Sequence, residues 1–179
     1  MTFGDPELFH RPHWQVTSRM SKVRMGKTMA EALHFDDVNV GDSWKSGSRT
    51  VTETDIVMFA SMTGDFNPLH VDHEFAKETR YKKPLAHGLL GVAWVAGLGS
   101  FAPHMQTEAF VAIREWKFLH PCYAGDTVHI ATTVVEKIDK GSRRRGTVLW
   151  NRQLVHHDGR VLQEGIFESL VSKRSKKKA

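Results

Sequence analysis

Five positions separate an aspartate from a histidine in the run Gly64-Asp65-Phe66-Asn67-Pro68-Leu69-His70. A carboxylate is a base at neutral pH, and an imidazole, which titrates near neutrality, can donate or relay a proton beside it. Pro68 removes a backbone donor and disfavours helical dihedrals at Asn67, and Gly64 supplies a free bend just ahead. The run therefore predicts a short irregular loop presenting Asp65, Asn67 and His70. Further on, Ala86-His87-Gly88-Leu89-Leu90-Gly91 opens an apolar segment rich in small residues. A helix beginning at Gly88 would offer unpaired N–H groups and the positive end of its dipole. Carboxylate, imidazole and helix N-terminus are the parts needed to move protons beside a carbonyl oxygen that must hold negative charge.

Each residue also has a plainer reading. An aspartate after glycine commonly closes an Asx-turn on its own backbone. A lone histidine is more often a hydrogen-bonded structural residue, and His87 could do no more than satisfy backbone groups at a helix start. Asn67 reads as a residue that orients the loop or a bound water. His70, Asp72, His73 and Glu74 are metal-ligand types, but Pro68 places His70 ahead of the next helix, so His70 and His73 are not expected to share a face. Neither the zincin arrangement nor a Cys/His zinc spacing is present, and no metal site is expected. His156 and His157, adjacent on a strand, should point to opposite faces. Cys122 reads as a small, half-buried strand-end residue rather than a nucleophile.

Around these residues the pattern predicts an α+β domain. A strand runs from Trp44 to Val51. Thr52 or Thr54 caps a helix whose Ile56, Val57, Phe59, Ala60 and Met62 form an apolar stripe ending at Gly64. Asp72 caps a short helix, and Tyr81-Lys82-Lys83-Pro84 breaks the chain. Gly88 to Ser100 is apolar on nearly every side, which predicts a helix buried all round, with Gly99 as its C-cap. Its glycines do not make a dinucleotide fingerprint, because no strand leads into them. Four strands follow, at 110–118, 126–138, 147–157 and 160–171, with Asp158-Gly159 a hairpin turn and Ala124-Gly125-Asp126 another. Residues 1–34 read as an N-terminal arm, in which Lys27 to Leu33 could make two helical turns. Residues 35–172 form the domain, and 173–179 a basic disordered tail.

The 179 residues suffice for one domain with a substantial core. The formal net charge of +5 comes largely from the last seven residues, so no nucleic-acid partner is inferred. One cysteine excludes an internal disulfide and fits a reducing compartment, and a cytoplasmic location is expected. No apolar run approaches a membrane span, and no signal-peptide core follows the N-terminus.

The run Gly64-Asp65-Phe66-Asn67-Pro68-Leu69-His70, followed by a short helical segment and then His87-Gly88 opening an apolar helix, resembles the MaoC-like hydratases, the (R)-specific enoyl-CoA hydratases, over roughly residues 35 to 172. The resemblance implies the hotdog fold, an antiparallel sheet wrapped around a central helix, in a homodimer or dimer of dimers with edges joined. It implies reversible syn hydration of a trans-2-enoyl thioester to the (R)-3-hydroxyacyl form. Asp65 and His70 would activate water and relay the proton, with Asn67 supporting them and the Gly88 amide receiving the thioester oxygen. His87, Pro68, Leu69, Leu90 and Trp94 are the expected substrate contacts. Met58, Phe59, Trp94 and Phe101 could restrict the acyl group. Arg80, Lys82, Lys83, Arg114 and Lys117 could meet coenzyme A phosphates. The acyl carrier is expected to be coenzyme A rather than a carrier protein, and no other cofactor is expected. Two rivals remain: a hotdog acyl-CoA thioesterase, which commonly carries a carboxylate on or beside the central helix where Gly88 to Ser100 has none, and a non-catalytic acyl-CoA-binding module.

Overall fold

The computed structural model describes residues 24–25 and 31–175. Seven strands build one sheet: β1 (Arg24–Met25), β2 (Ser43–Lys45), β3 (Arg49–Thr50), β4 (Thr107–Phe118), β5 (Thr127–Ile138), β6 (Arg145–His156) and β7 (Val161–Ser172). The order is β1-β2-β5-β6-β7-β4, with β3 also beside β5. All pairs are antiparallel except β1 with β2. Among the described residues a 3₁₀ turn (Phe35–Asp37) and four α-helices precede β4: α1 (Glu53–Thr63), α2 (Pro68–Val71), α3 (His73–Glu78) and α4 (Gly88–Gly99). Among the described residues no helix is long and apolar enough to cross a membrane.

Local chemistry sets most of these boundaries. The Thr52 side chain accepts from the Asp55 N–H while the Asp55 carboxylate accepts from the Thr52 N–H, a capping box that starts α1. Gly64 ends α1 in the left-handed region (φ 80°), where a side chain would be strained. Asp72 caps α3 by accepting from the Phe75 N–H at 2.9 Å. The Asp158-Gly159 turn joins β6 to β7, with Val155 opposite Val161.

Along β5 the buried residues Val128, Ile130, Thr132 and Val134 alternate with half-exposed ones, so one face of the sheet turns inward. Against it α4 lays Leu90, Gly91, Trp94 and Val95, recurring at helical spacing. Trp150, Leu154, Leu162 and Phe167 complete the core beneath. Gly91 is required by proximity: a Cβ there would lie 2.2 Å from the Gln163 side-chain amide.

Several expectations are corrected. Helix α4 is buried on one side only, with Leu89 66% exposed and Ala93, Ala96 and Gly97 also open, because one sheet can cover only one face of a helix. Gly99 is the last helical residue, and the C-cap is Ser100 in a right-handed conformation. Gly99 makes room instead, since a Cβ would meet Nη1 of buried Arg152 at 2.6 Å. The strand expected from Trp44 to Val51 divides into β2 and β3. On α1, Ile56 and Ala60 are buried, whereas Val57 and Met62 face outward. Residues 27–30 of the expected helical turns lie outside the described residues, and Leu33 bridges to Met105.

At the other end, Lys173 and Arg174 are not part of a loose tail. Lys173 Nζ reaches Asp139 at 2.6 Å and Arg174 Nε reaches Asp37 at 2.8 Å, because acidic residues gather there. His156 and His157 do not diverge: their ring centroids are 4.2 Å apart, since His157 stands beyond the end of β6, where strand alternation no longer applies.

Candidate active site

The sequence places the Asp65–His70 segment in an irregular loop; the structure makes only its first part irregular. Asn67 caps α2, its Oδ1 accepting from the Leu69 N–H at 3.0 Å, and Pro68 takes the first helical position, where no N–H is needed. His70 is therefore helical, not ahead of a helix. Its Nδ1 lies 2.7 Å from the Leu85 carbonyl oxygen. A carbonyl only accepts, so Nδ1 carries the proton and Nε2 keeps a free lone pair.

Asp65 sits just ahead of the cap. Its Oδ1 accepts from the Asn67 N–H at 3.4 Å, so the Asx-turn reading holds, but as a long bond. The side chain is 54% exposed, which leaves its other oxygen open. One carboxylate oxygen of Asp65 and one ring nitrogen each of His70 and His87 lie within 4.8 Å of one another. A single water, bonded to two groups at about 2.8 Å each, spans a gap of that size.

His87 joins this cluster in a role that the sequence does not announce. It was expected at a helix start and in contact with substrate, and it does precede α4, but its side chain makes no cap bond. Instead its Nε2 donates to the Asp65 carbonyl oxygen at 2.9 Å and stands 3.9 Å from the Asp65 carboxylate. Its ring is 3% exposed and stacks on His70 at 3.8 Å, with Phe59 5.0 Å from its centroid. Among the described residues, His87 Nδ1 is buried without a partner. No periodicity links residues 65, 70 and 87; the fold alone joins them.

Gly88 follows His87 directly and opens α4, so its N–H has no acceptor within the helix. It borders a cleft of about 570 Å³ whose walls include Arg80, Tyr81, Phe118, His120 and Gln163. Gln163, another residue that sequence patterning did not single out, donates to the Gly88 carbonyl at 3.1 Å and accepts from Trp116 Nε1 at 3.3 Å. A second cleft of about 260 Å³ reaches His70 between Ile56, Val57, Val71 and Pro84. Asp65 lines neither cleft and stands open to solvent.

Of the expected substrate contacts, Leu90 and Trp94 are core residues, 7% and 6% exposed, and line neither cleft, because their positions on α4 face the sheet. Pro68 is exposed, and the Leu69 carbonyl is occupied by the Leu85 N–H at 3.3 Å. Met58 and Phe101 lie on the surface, while Phe59 packs on the core. Among the basic residues, Arg80 lines the larger cleft and Lys83 the smaller, and Arg114 is paired with Glu168. Burial, followed by the charge of Asp126, pushes the Cys122 thiol up to about 12, which removes it as a nucleophile.

Residues 37–155 match the model of the MaoC like domain. An (R)-specific enoyl-CoA hydratase of Rhodospirillum rubrum is 35% identical over 102 residues, 56% of this chain and 69% of that protein. Among solved structures, a MaoC-like dehydratase from Rhodospirillum rubrum superposes with a TM-score of 0.73 at 25% identity, covering 81% of this chain and all of that one (100%). A Mycobacterium tuberculosis protein with a double hotdog fold gives a TM-score of 0.73 at 19% identity, over 83% of this chain and 46% of that one, a likeness of fold alone. A sheet wrapped on one long helix agrees with both structures, and the domain match across most of that sheet shows that this hotdog-fold chain belongs to the MaoC-like family.

Proposed function

We propose that the chain catalyses reversible hydration of a trans-2-enoyl thioester, carried by coenzyme A, to the (R)-3-hydroxyacyl thioester. The observation that carries this reading is the water-sized gap among the Asp65 carboxylate and the His70 and His87 rings, His87 being the residue directly ahead of the N–H groups that open α4. The hydratase relative at 35% identity supports the same chemistry.

In this scheme the Gly88 N–H receives the thioester oxygen and draws electron density from C3. Water sits between Asp65 and His70 Nε2. Asp65 takes its proton as the oxygen bonds to C3, and negative charge passes to the thioester oxygen at the helix N-terminus. That proton then returns to C2 by way of His70, leaving both side chains as they began. Because both groups stand on one side of the alkene, addition is syn. Asn67 acts by fixing the start of α2. No electron changes hands, so the scheme calls for no redox cofactor, and coenzyme A arrives as part of the substrate.

The assembly that fits this reading is a homodimer or a dimer of dimers. Among the described residues, strand β4 is a sheet edge of 12 residues with no strand beyond it, and its Phe110, Val111 and Ile113 are exposed. Pairing such an edge removes an association hazard. The test is a panel of enoyl-CoA thioesters followed by loss of the conjugated thioester absorbance. Release of free thiol from acyl-CoA, with no absorbance change on enoyl substrates, would replace hydration by hydrolysis.

A further inference from the structure

Gln163 is buried, 4% exposed, and its side-chain amide is committed at both ends. The Trp116 indole N–H only donates, so the atom facing it at 3.3 Å is Oε1. The Gly88 carbonyl only accepts, so Nε2 faces it at 3.1 Å. The amide therefore has one orientation, and two hydrogen bonds in series run from β4 through β7 to the first residue of α4. Packing keeps that series in place. A Cβ at Gly91 would stand 2.2 Å from Gln163 Nε2, so the helix comes as near to this amide as bare backbone allows. Phe118, opposite Gln163 in the β4–β7 pair, lies against Gly88 itself, where a Cβ would be 2.8 Å from its ring.

The effect falls on the N–H groups that open α4. Those of Leu90 and Gly91 reach the His87 carbonyl oxygen at 3.1 and 3.4 Å, whereas those of Gly88 and Leu89 have no acceptor within the helix. Helix ends fray, and His87 supplies no side-chain cap bond to this one. Gln163 fixes it from the sheet instead. We propose that Gln163 is a positioning residue for hydration: by holding the Gly88 carbonyl it sets the direction of the Gly88 N–H, which receives the thioester oxygen. The role rests on the function proposed above. It counts most as negative charge gathers on that oxygen, so losing Gln163 should lower kcat and change KM little.

The test uses the full chain and an enoyl-CoA thioester that it hydrates. Gln163→Met keeps the length of the side chain and removes both hydrogen bonds. In Gln163→Glu the carboxylate can accept from Trp116 but has nothing to donate to Gly88, whereas the carboxylic acid can do both. kcat and KM are measured from about pH 8 to 5, where a buried glutamate takes up its proton, beside a thermal melt of each protein. Gln163→Met should lower kcat by up to about 10²-fold, the cost of misplacing a catalytic group by about 1 Å. The Gln163→Glu deficit, taken as a ratio to the parent at each pH, should shrink as pH falls. In the Gln163→Met background Gly88→Ala and Gly88→Pro should differ far less than in the parent, because the N–H that separates them is no longer aimed. A folded Gln163→Met that keeps more than about half the parent kcat would overturn the proposal. So would an alanine-to-proline ratio unchanged in that background, or a Gln163→Glu deficit that ignores pH. Should Gln163→Met not fold, the pH dependence of Gln163→Glu decides. Amide hydrogen exchange separates this proposal from the hydratase reading. Faster exchange at Leu90 and Gly91 on losing Gln163, in a chain that hydrates no enoyl thioester, would refute that reading and leave the hold on α4 standing. Unchanged exchange would refute the hold itself.

Discussion

Replacing Asp65 by asparagine separates the chemistry of this position from its structure more cleanly than any other change. Asparagine keeps the acceptor oxygen that closes the Asx-turn with Asn67, and the backbone carbonyl that receives His87 is untouched. The side chain is 54% exposed, so its charge carries little of the fold. A surface substitution of this kind changes stability by about 0.5 kcal/mol or less. For a domain of this size that is a shift of about 1–2 °C in Tm. What asparagine cannot do is take a proton from water. A positioned base contributes about 10²–10⁴-fold, so kcat should fall by that factor. The loss corresponds to about 2.7–5.4 kcal/mol of barrier, at about 1.36 kcal/mol per tenfold. The assay is loss of enoyl-CoA absorbance, beside a thermal melt of each protein. A variant that melts like the parent and keeps more than about half its rate would refute the role of Asp65 as base.

Other substitutions and conditions give equally definite outcomes. At Gly88 any Cβ would sit 2.8 Å from Phe118 Cε1, so alanine is not an inert control by itself. Because Gly88→Pro and Gly88→Ala share that steric cost, their ratio isolates the N–H, and proline should be slower by about 10²–10³. Light scattering should give at least twice the chain mass, and an active monomer that does not associate would exclude a role for the β4 edge. The buried Cys122 thiol, pushed from 9.0 up to about 12, should react with iodoacetamide at pH 8 about a thousandfold more slowly than in the denatured chain. Four carboxyls are held below their ordinary range, Asp139 among them, first by its hydrogen bond from Lys173. Asp158 is lowered first by the Arg160 N–H, and Asp37 first by the Arg174 guanidinium. At Asp55, burial acts in the opposite sense and is outweighed by bonds from Thr52 and Arg49. The unfolded chain therefore binds more protons as pH falls below about 4, so stability should be full above that pH and decline beneath it, as urea titrations from pH 6 to 2 would show.

What the sequence determined by itself is whatever local chemistry dictates. Thr52 with Asp55, Gly64, Asp72 and Asp158-Gly159 fix where elements start, stop and turn, because each acts through backbone atoms a few residues away. The four long strands and the apolar helix were legible for the same reason, since periodicity is a property of neighbours. Asp65, Asn67 and His70 were readable as a set, being joined by one short segment and by a family resemblance. The tertiary structure decided everything that depends on distance in space. Packing of α4 on the sheet carries the residue at position 87 to the loop, where it stacks on His70 and bonds Asp65. Register across β7 sends Gln163 to the Gly88 carbonyl. Sequence alone made α4 buried all round and assigned Leu90 and Trp94 to substrate, because hydrophobicity records that a side chain avoids water and not what covers it. The sheet covers Leu90 and Trp94 and leaves Leu89 and Ala93 open, a choice made only when helix and sheet are packed together.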